Sequence, residues 1–252
     1  MYRTRIGLVT VVITVILGAK CLSAQTSVAV QNSIDLGSEQ LENFQVDTES
    51  IGVFFSDLSL IYDIPIGLEI AANDQEFARY SIDFKKGTVK QLLTQFVARH
   101  PQYTWKIEDG VVNVFPKDSY RDLMFGDVLA TRIGKFSATK NTSCWNFLES
   151  LFARAELKTI LKANETTYRG RAPSGFYIPQ LGRRFTLHVS DLTLKSILNK
   201  VIKESSSAKF WVITRNRDRT LLVHFAARHE DSVWTKGKRP SQQLFGDQLP
   251  KQ

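Results

Sequence analysis

The chain has 252 residues, is 43% apolar and carries 33 Lys and Arg against 25 Asp and Glu, a net charge of +8 with neutral histidines. That length holds one large or two small domains, and the apolar share is ordinary for a globular fold. Of two cysteines, Cys21 lies in the N-terminal apolar stretch, so a disulfide-stapled scaffold is excluded and the fold must rest on its core.

The chain opens on the basic segment "MYRTR", continues through the 14-residue, mostly apolar run Ile6 to Ala19, and reaches "CLSAQ", where Ala24 precedes Gln25. This order is that of a secretory signal peptide, and the apolar run is short for a membrane span. Cleavage after Ala24 is therefore expected, with an uncleaved anchor as the competing reading. Lys20 stands before Cys21 where a lipoprotein signal needs a small uncharged residue, which argues against acylation. Removing residues 1–24 takes three basic residues and no acidic ones, leaving 30 against 25, a net +5. Such a surface favours acidic partners without implying nucleic acid.

Residues 25–43 read as a polar, flexible leader, and "FQVDT" from Phe44 as a short strand. Ile51, Phe54, Phe55, Leu58 and Tyr62 then share one face of a helix, which Pro65 stops ahead of the strand "PIGLEIA". Tyr80, Ile82 and Phe84 alternate with polar residues as a half-buried strand does. Thr88 and Gln91 form a capping box for a second helix whose stripe is Val89, Leu92, Leu93, Phe96 and Val97. "YTWKIEDGVVNVF" is a hairpin turning at Asp109-Gly110.

The same apolar pattern returns downstream. Adding 93 to the first helix positions gives Cys144, Phe147, Leu148, Leu151 and Ala155; adding 105 to the second gives Leu194, Ile197, Leu198, Val201 and Ile202. A strand at Arg132 to Ala138 and the hairpin "FWVITRNRDRTLLVHF" complete a second copy. The sequence thus predicts an α+β fold of two tandem βαββαββ modules, 44–117 and 128–226, each with two helices on small sheets and no barrel. "PKDSYRDLMFGD" reads as the linker between them. The change of offset places about 12 extra residues in an inserted loop at 164–182, and 227–252 reads as a disordered tail.

The stretch "YSIDFKKGTVKQLLTQFVARHPQYTWKIEDGVVNVF", with its strand before a T-x-x-x-L-L helix, aromatic strand, D-G turn and V-x-V strand, resembles the STN module, the short N-terminal domain of secretins and TonB-dependent receptors. The likeness covers Phe44 to Phe115 well and Arg132 to Phe225 more loosely. It implies a periplasmic protein-binding unit with two helices between small sheets. The family usually has a glycine between the first helix and second strand, where this chain has Asp63 and Glu156. In that family the module precedes a large barrel or ring, so receptor or channel function is not carried over by the likeness.

Histidines 100, 188, 224 and 229 show no metal-ligand spacing, Cys144 takes a core position of the repeat, and "HVSD" at His188, Ser190 and Asp191 is no nucleophile elbow. No cofactor motif, metal motif or phosphate loop is present in the sequence, and no catalytic residue is assigned. The stretch that packing does not explain is "YRGRAPSGFYIPQLGRR": Tyr168, Arg169, Arg171, Phe176, Tyr177, Arg183 and Arg184 form the candidate partner-binding set. Arg and aromatic side chains are the favoured anchors of interfaces. The expected function is that of a secreted, periplasmic, non-enzymatic protein-binding module in an envelope assembly, transport or signalling system. Its partner would be an envelope protein with an acidic surface, such as an outer-membrane receptor, secretin or regulator. The alternative is a small envelope hydrolase or cell-wall-polymer-binding protein using the 164–182 loop, which a cluster of His188 or His224 with a carboxylate would favour.

Overall fold

Four helices begin on a hydroxyl side chain, and these caps fix where strand gives way to helix. Ser50 accepts from the Val53 N–H ahead of α1 (Ile51–Tyr62), and Ser143 accepts from Asn146 ahead of α4 (Cys144–Phe152). Thr88 accepts from Gln91 ahead of α2 (Val89–Arg99), closing the predicted capping box, and Thr193 accepts from Ser196 ahead of α6 (Leu194–Glu204). Each cap satisfies an amide that the helix cannot bond itself. The computed structural model describes residues 35–72, 79–138, 142–169 and 185–227.

The fold is mixed α+β without a closed barrel among these residues. β1 (Gln40–Thr48) pairs antiparallel with β3 (Tyr80–Thr88) as one two-stranded sheet; β6 (Arg132–Ala138) pairs likewise with β8 (Leu187–Thr193) as a second. The remaining strands are β2 (Ile66–Glu69), β4 (Tyr103–Glu108), β5 (Val111–Pro116), β7 (Thr167–Tyr168), β9 (Ala208–Arg215) and β10 (Thr220–Ala227). They form one six-stranded sheet in the order β4-β5-β2-β9-β10-β7. Each half therefore pairs its strands in the same way: a hairpin, with the strand that follows the first helix added parallel to the returning hairpin strand. The tight turn of the first hairpin has positive φ at both Asp109 and Gly110, the backbone that the D-G pair supplies.

The sheets hold the helices. α1 packs on β1, β2 and β9, and α6 packs on β8, β9 and β2. Ile51, Phe54, Phe55 and Leu58 are buried, as are Cys144, Phe147, Leu148 and Leu151 at the matching positions. The match fails at its last pair: Tyr62 is half-buried while Ala155 is exposed, because the helix that should contain Ala155 has already ended.

A shared sheet joins the halves, so they do not sit as two separate units. β2 and β9 pair parallel from Ile66↔Phe210 to Glu69↔Ile213. A side chain at Gly67 would place its Cβ 2.4 Å from the Trp211 ring, so the joint requires glycine there. Trp211 Nε1 donates to Asn199 Oδ1 at 2.9 Å, and Asn199 Nδ2 donates to Asn113 Oδ1 at 3.2 Å, a buried polar chain linking β9, α6 and β5. Each half also lends a residue to the other's core, Phe210 to the first and Val111 to the second.

Three boundaries differ from those expected. β1 starts at Gln40, after a 3-10 turn at Leu36–Ser38, so the leader's last residues are built into the fold; Leu41 is fully buried. The expected linker contains α3 (Leu123–Ala130), whose Met124, Phe125, Val128 and Leu129 pack into the second core. Ion pairs fasten this segment, Arg121 to buried Glu69 at 2.6 Å and Arg215 to buried Asp122 at 2.7 Å. Part of the second half's extra length is α5 (Ala155–Ala163), which stands between α4 and β7, where the first half has only Asp63 to Pro65. The loop expected at 164–182 lies outside the described residues beyond Arg169.

Candidate functional site

The described part of the expected binding stretch is its beginning. Tyr168 lies in β7, half-buried, its ring stacked on Phe152 of α4 with centroids 3.9 Å apart and planes 6° from parallel. Its hydroxyl is buried without a hydrogen-bond partner among the described residues. Burial, and secondarily the Glu149 carboxylate, pushes the phenol above its ordinary range. Tyr168 is thus a packed strand residue and not part of a surface loop. Arg169 is exposed, and its backbone N–H donates to the Leu221 carbonyl at 3.1 Å. Arg171, Phe176, Tyr177, Arg183 and Arg184 lie outside the described residues, as do the signal segment and residues 228–252 of the tail.

Around Tyr168 the structure builds a concave surface of about 670 Å³, formed by the end of α4, by α5 and by β7. α5 exists because Leu157, Ile160 and Leu161 recur at helical spacing and turn inward. That spacing is present in "AELKTILKA", but extending the preceding helix through Ala155 hides it. The flank beside that stripe carries Lys158 and Lys162, one turn apart and both exposed, on the rim of the concavity. The helix ends with Glu165 in the left-handed conformation at φ 49°, and its carboxylate pairs with Arg219. In the first half Asp63 does the same job, ending α1 at φ 61° and ψ 33°. At both helix ends a residue other than the glycine that such a turn favours takes the left-handed conformation. Glu156, which the likeness set beside Asp63, lies inside α5 and accepts from the Gly134 amide at 3.1 Å.

β7 ends the six-stranded sheet among the described residues. Thr167 N–H donates to the Arg219 carbonyl and Arg169 N–H to the Leu221 carbonyl. Alternation along a strand then turns the backbone N–H and C=O of Tyr168 to the other side, away from β10.

The histidines do not assemble a catalytic cluster among the described residues. His188 is exposed with Nδ1 3.0 Å from Ser137 Oγ, and His224 is in β10 with burial lowering its pKa. His100 packs at a tilt against the rings of Tyr80 and Phe96. Burial pushes the Cys144 thiol up to about 12, so it behaves as a small core hydrophobe. No group of His, Cys, Asp and Glu capable of holding a metal occurs among the described residues, and none of their helices is long and apolar enough to cross a membrane. No family model matches the chain, and no curated protein or solved structure matches it significantly.

Proposed function

We propose that the protein is an exported, non-catalytic binding protein of STN-like construction, working by protein–protein contact in an envelope assembly, transport or signalling system. The supporting observation is the β2–β9 joint, in which a strand of one half extends the sheet of the other through backbone hydrogen bonds. Small sheets recruit other chains in the same way. A net +5 after removal of residues 1–24 favours a partner with an acidic surface, such as an outer-membrane receptor, secretin or regulator.

In-cell photocrosslinking tests this reading, with the crosslinker placed at the exposed positions Lys106 on β4 and Thr167 on β7, the two ends of the sheet. The expected result is a discrete adduct with an envelope protein from at least one end, together with a mature N-terminus at Gln25. Retention in the cytosol, or turnover of peptidoglycan fragments by the purified chain, contradicts it.

A further inference from the structure

The two halves differ in what happens to the outer edge of one strand. In the first half, β2 lies beside β5 and its other edge is taken by β9, parallel and in register. In the second half, β7 lies beside β10 in the same parallel sense, and among the described residues its other edge carries no strand. The chain thus contains, filled within itself, the type of contact that the end strand of its sheet leaves open among the described residues.

What surrounds the open edge differs from what surrounds the filled one. Helix α5 has no counterpart in the first half, which folds without it, so completing the sheet does not require it. Besides packing Leu157 and Leu161 into the second core, it walls a concavity against β7. The floor is apolar, made by Phe152, Leu161 and the Tyr168 ring. On the rim stand Lys158 and Lys162, neither of which meets a carboxylate within ion-pair distance among the described residues, whereas the rim carboxylate of Glu165 is already paired with Arg219. Glu149 stands on the rim as well, so the unpaired lysines outnumber the unpaired carboxylates.

We propose that the outer edge of β7, flanked by Lys158 and Lys162, takes an extended acidic peptide segment of a partner as an added strand. The Tyr168 N–H and C=O supply the ladder bonds. An apolar side chain of the segment lies on the Phe152 and Leu161 floor, and carboxylates on either side of it meet the two lysines. Backbone pairing selects a polypeptide over an anionic glycan or lipid, because neither of those continues a β-ladder. This inference rests on the binding reading above and names the chemistry of the segment that is bound.

The test uses the full mature chain and a fluorescein-labelled hexapeptide alternating Glu with Val and Trp, followed by fluorescence anisotropy. Three controls accompany it: the same peptide with every Glu replaced by Lys, its backbone N-methylated form, and phosphatidylglycerol vesicles. The acidic peptide should bind at least ten-fold more tightly than the Lys peptide and the N-methylated one, and affinity should fall as salt rises. The double variant Lys158→Glu with Lys162→Glu should lose at least ten-fold. Both lysines are exposed, so the variant should keep the native amide NMR spectrum away from α5. Where affinity is too weak for anisotropy, amide shifts at 1 mM peptide decide the matter. Perturbation centred on residues 167–169 and α5 supports the site, and its absence overturns it. Equal binding of the N-methylated peptide, or vesicle binding that the double variant abolishes while peptide binding persists, also overturns it. If crosslinked partners are still captured by the double variant, the groove is wrong while the binding reading stands.

Discussion

The first and second halves of this chain share caps, sheet pairings and buried helix faces, yet they use one strand edge differently. β2 is enclosed between β5 and β9, with all four of its residues buried. β7 has two residues, one exposed and one half-buried, and stands at the end of the sheet beside an additional helix. Like strand pairing therefore need not present a like surface. The outer edge of β2 joins the two halves, whereas that of β7 carries no strand among the described residues.

The largest effect should come from breaking the joint. Trp211→Ala removes the ring that covers Gly67 and leaves the buried Asn199 carbonyl without its donor. A loss of about 3–5 kcal/mol is expected, measured by denaturant unfolding. Both halves should weaken in one transition, since the tryptophan serves the shared sheet; loss confined to the second half would break the explanation of the joint.

Somewhat smaller losses sharpen the likeness of the halves. Leu58 and Leu151 are both fully buried at matching positions of α1 and α4. Leu58→Ala and Leu151→Ala should each cost about 2–5 kcal/mol. Similar values support equivalent core roles, and a cost near zero for either would show that its helix is not a support of its core.

Much of this pairing is legible in the sequence because it rests on short-range physics. Apolar spacing in Ile51–Tyr62 and Val89–Arg99 fixes which helix face turns inward, and Ser50, Thr88 and their downstream counterparts state where each helix starts. The hairpin turn at Asp109 and Gly110 is equally local. Segments whose identity depends on distant packing are not legible in this way. "PKDSYRDLMFGD" resembles a linker until the second core receives Met124 and Phe125. α5 escapes a reading by periodicity because nothing local marks the break at Ala153 as the end of one helix and not a continuation. The joining of β2 to β9 cannot be read from either strand alone. As for the site, the arginine-rich surroundings of Tyr168 single it out, but nothing in the sequence places the lysines of α5 beside it.

A modest effect tests the unpaired phenol. Tyr168→Phe keeps the stack on Phe152 and removes a buried hydroxyl with no described partner. Stability should be unchanged or rise by up to about 1 kcal/mol, measured by thermal or denaturant unfolding; a clear loss would reveal a hydrogen bond to the hydroxyl.

The smallest expected effect is a pH dependence peculiar to the second half. His224 pairs across the hairpin with Val212, and the pair at the same distance from the turn in the first half is Val114 with Trp105. Burial lowers the histidine's pKa below 6.5, so the unfolded chain takes up its proton first as the medium is acidified. Stability attributable to this group is therefore intact above about pH 6.5 and declines as pH falls below it. His224→Val should flatten that part of the stability–pH curve, and an unchanged slope would remove His224 from the explanation.

Residue-resolved amide hydrogen exchange separates the two edges, one used internally at β2 and the other, at β7, without a strand among the described residues. In the free protein the amides of Ile66–Glu69 should exchange slowly and that of Tyr168 rapidly, and saturating acidic hexapeptide should slow Tyr168 at least ten-fold with little change in β2. A Tyr168 amide already as protected as β2 in the free protein, or one that the bound peptide leaves unaltered, contradicts this division of the edges.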